Sequence, residues 1–118
     1  MSQNETREKI GEVQVADEVV SAVAGYAALE TEGVYDLASK FSEKFTTRNF
    51  YKGVHINMQG GNVSVALAIT VKYGYSIPKV VRQVQEKVAN SIQNMIGLNV
   101  TRVDIRVAGV SQYSASAQ

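Results

Sequence analysis

The chain has 118 residues, 45% of them hydrophobic, which suits one domain that buries roughly two thirds of its unfolded surface. Twelve Lys+Arg against eleven Asp+Glu give a formal charge of +1, so no global field recruits nucleic acid or an anionic membrane. Zero cysteines exclude disulfides, a thiolate nucleophile and thiolate metal ligation, and a single histidine excludes a multi-histidine metal cage.

Residues 1–9, MSQNETREK, mix charges of both signs and are expected to form a disordered N-terminal tail. No apolar stretch of a signal peptide follows them. The most membrane-like run, Val63 to Val71, has nine residues where a spanning helix needs about twenty. These features predict a soluble, cytoplasmic protein. Residues 10–110 are expected to form the working domain, and the small polar stretch 111–118 a flexible C-terminal tail.

Ile10, Val13 and Val15 suggest a short first strand. Asp17 and Glu18 then open a helix where acidic side chains favour its positive end. Val19, Val20, Val23, Ala24, Ala27 and Ala28 give it an apolar stripe, and Gly33 supplies the left-handed residue that stops it. Val54, Ile56 and Met58 alternate with polar residues in a half-buried strand, and Gly60-Gly61-Asn62 makes a tight hairpin. In the returning strand Val63, Val65, Leu67, Ile69, Val71 and Tyr73 face one way. Ser64, Ala66, Ala68, Thr70 and Lys72 face the other.

Ser76-Ile77-Pro78 opens a second helix, Pro being tolerated in a first turn. Ile77, Val80, Val81, Val84, Val88, Ile92 and Met95 form its stripe, and Gly97 ends it. A last strand turns Val103, Ile105 and Val107 inward and Arg102, Asp104 and Arg106 outward. The order β-α-β-β-α-β predicts an α+β single domain, a ferredoxin-like two-layer sandwich with two helices on one sheet face.

Two regions stand out as candidate surfaces. All three phenylalanines, Phe41, Phe45 and Phe50, fall beside Tyr51 in one segment, where Lys40, Lys44, Arg48 and Lys52 against Glu43 leave a local charge of +3. Leu37, Phe41 and Phe45 have helical spacing, with Asp36 placed to cap that helix. Lys40, Phe41, Lys44, Phe45, Arg48, Phe50 and Tyr51 are therefore candidate partner-binding residues, with a crossover packed on the core edge as the bland alternative. The strip Ser64, Ala66, Ala68 and Thr70, flanked by His55, Asn57, Arg102 and Arg106, is a candidate self-association face. Its ordinary alternative is plain solvent exposure. It lacks the aromatics that an RNA-reading sheet would use for stacking.

No catalytic, cofactor-binding or metal-ligating residues can be assigned. His55 sits in neither a nucleophile elbow nor a zinc motif. Gly60-Gly61 and Gly97 do not precede helices as phosphate loops must.

The run Gly11-Glu12-Val13-Gln14-Val15-Ala16-Asp17-Glu18-Val19-Val20 resembles the opening of the bacterial alkaline shock protein family. Glu32-Gly33-Val34, Gly53-Val54, Tyr73-Gly74, Ile77-Pro78-Lys79-Val80, and Gly97-Leu98 followed by Val103-Asp104-Ile105 continue the likeness in order, to about Val110. Family members commonly carry Pro where this chain has Asp17, and both suit a first helical turn. The resemblance implies a non-enzymatic protein of alkaline and cell-envelope stress in Gram-positive bacteria. It also implies a cytoplasmic homo-oligomer that needs no cofactor, some relatives being held at the membrane by an integral membrane partner. The alternative that it leaves open is a regulatory binding module acting on an enzyme of fatty-acid or lipid metabolism.

Overall fold

The alternating run from Val63 to Val71 becomes the strand around which the other elements are arranged. A computed structural model describes residues 14–38 and 53–111. In chain order these form α1 (Asp17–Glu30), β1 (Val34–Leu37), β2 (Val54–Gln59), β3 (Asn62–Lys72), α2 (Ile77–Met95) and β4 (Asn99–Ser111).

Ala16 gives α1 no side-chain cap, and Asp17 and Glu18 in the first turn put negative charge at its positive end instead. The helix stops at Glu30, before Gly33. Thr31 turns extended, its Oγ1 donating to the Ala27 carbonyl at 2.9 Å and its N–H to that of Ala28 at 3.1 Å. Gly33 lies in the following turn at φ 97°, where a Cβ would meet Val80 Cγ2 at 2.6 Å. Glycine is thus needed there for its backbone angle and for close approach to α2. The buried side of α1 is built from Val20, Ser21, Ala24, Gly25, Ala27 and Ala28, whereas Val19 of the expected stripe is exposed.

Ser76 caps α2, its Oγ accepting the Lys79 N–H at 3.4 Å, with Pro78 in the first turn. At the other end Gly97, at φ 87°, donates its N–H to the Ile92 and Gln93 carbonyls. Val80, Val84, Val88 and Ile92 are the buried stripe, while Ile77 and Met95 at its two ends are exposed.

In β3 the five inward positions, Val63, Val65, Leu67, Ile69 and Val71, are all fully buried, and Gly60-Gly61 links β2 to it as a two-residue hairpin. Gly60 alone of the pair has a positive φ, as a type II′ turn requires. Both helices cover the inward side, α1 against β1 and β2 and α2 against β4, closing one core. Each fully buried Val or Ile in it contributes roughly 1.5–3 kcal/mol relative to exposure.

The order among the described residues is α-β-β-β-α-β, and two expectations change. Gln14, Val15 and Ala16 belong to no strand, and the rest of the expected first strand lies outside the described residues. In a ferredoxin-like sheet that strand would separate the last strand from β3. Here β4 pairs directly with β3, in parallel. Helix α2, about 28 Å long, carries the chain back to the start of β3, so that Asn99 sits opposite Asn62 and the next strand must run the same way. The second change concerns Leu37, expected to begin a helix. It ends β1, pairs with Ile69 and is buried, while Asp36 accepts the Leu37 N–H at 2.8 Å.

Strands β1 and β2 both pair antiparallel with β3, and on the same edge. Val34 to Leu37 run along Val71 to Ile69, and Val54 to Gln59 along Leu67 to Asn62. They lie end to end, with residues 39–52 between them.

Candidate functional site

The pleat that buries five positions of β3 turns the intervening ones to the opposite sheet face. Ser64, Ala66, Ala68 and Thr70 form one row there, each half-buried. Cross-strand pairing sets their flanks: Asn57 and Arg102 beside Ser64, His55 and Asp104 beside Ala66, Arg106 beside Ala68, and Asp36 and Gly109 beside Thr70. Small side chains thus run along the centre of this face with mostly longer ones on either bank. No described helix or strand lies over this face. The self-association candidates are thus brought together as one strip. His55 is exposed at its margin, without a nucleophile arranged beside it.

The charge on one bank of the strip is ordered. Arg102 Nε donates to both carboxylate oxygens of Asp104, at 3.0 and 2.9 Å, with both side chains largely exposed. An exposed pair of this kind adds little stability but fixes where the charges stand. Arg106, two residues on, has no ion-pair partner among the described residues.

Lys40, Phe41, Lys44, Phe45, Arg48, Phe50 and Tyr51, the partner-binding candidates, lie outside the described residues. Their attachment points do not. Ala38 donates its N–H to the Ala68 carbonyl at 2.9 Å, and Ala68 donates its own to Gly53 at 3.1 Å. Both stems of the segment therefore meet at one residue in the middle of the strip. A Cβ on Gly53, at φ 78°, would collide with the Ala38 carbonyl oxygen. Sequence reasoning missed this convergence. The sequence carried little signal for it, since Val34 and Leu37 are three residues apart and are both buried only with a register shift between Val34 and Asp36.

A second feature went unread. Tyr73, expected to face the core, lies past the end of β3 and is 68% exposed, its N–H held by the Ser111 carbonyl at 3.1 Å. With Tyr75, Ile77 and Val110 it borders an open cleft of about 600 Å³ floored by Val71. Among the described residues no group of three or more His, Cys, Asp or Glu side chains could hold a metal ion. No described helix is long and apolar enough to cross a membrane.

A model of the alkaline shock protein 23 family, described by a cell envelope-related function, matches residues 5–112. Two proteins of Bacillus subtilis (strain 168) are similar along most of their lengths. The uncharacterized protein YloU is 36% identical over 90% of this chain and 93% of its own, and the uncharacterized protein YqhY 33% identical over 92% and 83%. Among solved structures, a zinc form of the MamM CTD has a TM-score of 0.56 at 14% identity, covering 78% of this chain and 84% of that one. The MamM CTD residues 215–293 give 0.52 at 13% identity, covering 80% and 99%. At such identities the likeness concerns the fold alone.

Proposed function

The chain belongs to the alkaline shock protein 23 family, of cell envelope-related function, and we propose that it serves there as a non-enzymatic, self-associating stress protein that docks on a membrane-anchored partner. The observation that carries this reading is the outer sheet face. A strip of Ser64, Ala66, Ala68 and Thr70 lies between a charged bank on β4 and a polar one on β2, with no described element over it. Smooth, weakly polar sheet surface of this kind suits contact with another protein better than it suits chemistry. The reading needs no active site, in keeping with a composition of one histidine and no cysteine.

The segment from Lys40 to Lys52 enters the proposal through its stems. Both stems bond to Ala68, in the middle of the strip, and the segment between them carries four basic and four aromatic side chains. We assign it recognition of an acidic surface on the partner. Direct attachment to an anionic bilayer would be weak, at about 1 kcal/mol per basic residue near the surface.

Sedimentation velocity and crosslinked purification from membrane and soluble fractions test the two halves. Concentration-dependent association is expected, together with recovery of an integral membrane protein. Ala68→Arg, or charge reversal at Lys40, Lys44 and Arg48, is expected to abolish that recovery with the unfolding midpoint unchanged. A strict monomer at high micromolar concentration, or recovery indifferent to both variants, refutes the proposal.

A further inference from the structure

Strand β4 has thirteen residues and pairs, among the described residues, on one edge only. Its inward side chains Val103, Ile105 and Val107 remain half-buried, although the β3 residues beside them are fully buried. The Val103 carbonyl accepts Gln85 Nε2 at 3.0 Å and keeps a second lone pair, and a strand this long that no described strand pairs on its other edge is a template for another strand. Extra residues at Thr101 and Ala108 disturb its ladder with β3 near either end, leaving Arg102 to Val107 as the regular stretch.

We propose that β4 pairs antiparallel with β4 of a second copy of this chain, with the two-fold axis at Ile105. The inference rests on the self-association reading and names the surface that performs it. Three features of the sequence along β4 select this partner and register. Ile105 is the midpoint of Asn99–Ser111, so this axis lets the whole strand overlap its mate. It sets Val103 opposite Val107 of the other copy, apolar against apolar on the helix-covered side.

It also sets Asp104 opposite Arg106 of the other copy, twice, on the outer face. Arg106, which has no ion-pair partner among the described residues, thereby gains one, and each Asp104 is shared by its own Arg102 and the incoming Arg106. Moving the axis to Asp104 puts Asp104 against Asp104 and Arg102 against Arg106, so like charges oppose that register. Moving it to Val103 also pairs Arg102 with Asp104, but shortens the overlap and sets Val100 against Arg106. The Ile105 register joins two sheets into one, with both Ser64–Thr70 strips on the same side and both helical layers on the other.

Sedimentation velocity on the full chain tests this with a charge swap. Wild type is expected to dimerise, and Arg106→Asp and Asp104→Arg alone are each expected to weaken the dimer at least about tenfold, since each sets like charges opposite twice. An equimolar mixture of the two variants is expected to recover it, as is the double variant D104R/R106D, because both restore opposite charges. Circular dichroism should be unchanged throughout, both positions being exposed. Single variants that associate as tightly as wild type overturn the β4 edge and leave self-association to another face. Failure of both the mixture and the double variant to recover overturns the register, and a monomeric wild type overturns self-association itself.

Discussion

The two edges of β3 are built from the same kinds of residue and end very differently. One edge carries β1 and β2, four and six residues long, broken where residues 39–52 leave and return. The other carries β4, thirteen residues without a break. On the broken edge Val34, Leu37 and Val54 are buried, while Ile56 and Met58 toward the hairpin are half-buried. On the continuous edge Val103, Ile105 and Val107 are half-buried. The contrast teaches that continuity and burial are independent. Helix α1 packs its small residues on β1 and β2, while α2 packs on β4 and leaves its inward side chains half-buried.

Ile69 belongs to both edges, pairing with Leu37 on one side and Val107 on the other, and is fully buried. Ile69→Ala is expected to cost about 4 kcal/mol by opening a cavity beneath both, read as a lowered urea midpoint. A loss below about 1 kcal/mol would mean that the two edges are not joined through one core. Gly53→Ala addresses the broken edge alone. Positive φ and the collision with the Ala38 carbonyl predict a loss of about 3 kcal/mol, with amide exchange accelerated in β1 and β2 before β4. Uniform acceleration would erase the distinction between the edges. Gln85→Ala addresses the other side. Its Nε2 donates to the Val103 carbonyl at 3.0 Å, tying α2 to β4, and its loss is expected to cost about 1 kcal/mol, with faster exchange confined to β4.

Several features are encoded locally. The helix start at Asp17-Glu18, the Ser76 cap with Pro78, the Gly97 stop, the Gly60-Gly61 hairpin and the two faces of β3 all follow from residues within a few positions of one another. The strip Ser64–Thr70 was legible for the same reason, since alternation names the outward face of a strand without knowledge of its neighbours. The misreadings are of both ranges. Leu37 looked like a helix start because its partner Ile69 is far along the chain. Tyr73 looked like a continuation of β3, and the turn at Gly74 carried it outward.

By itself, the sequence determined both helices, the strands β2, β3 and β4, the two ends of α2 and which face of these strands is apolar, because period, φ preference and side-chain capping act over a turn or two of chain. It also determined membership of a family of cell envelope-related function. Only the tertiary structure decided that β1 and β2 share one edge, that β4 runs parallel to β3, and that the stems of residues 39–52 converge on Ala68. Those outcomes depend on backbone hydrogen bonds between segments far apart in the chain. Every strand offers the same N–H and C=O groups, so side-chain pattern alone does not say which strand will be its neighbour.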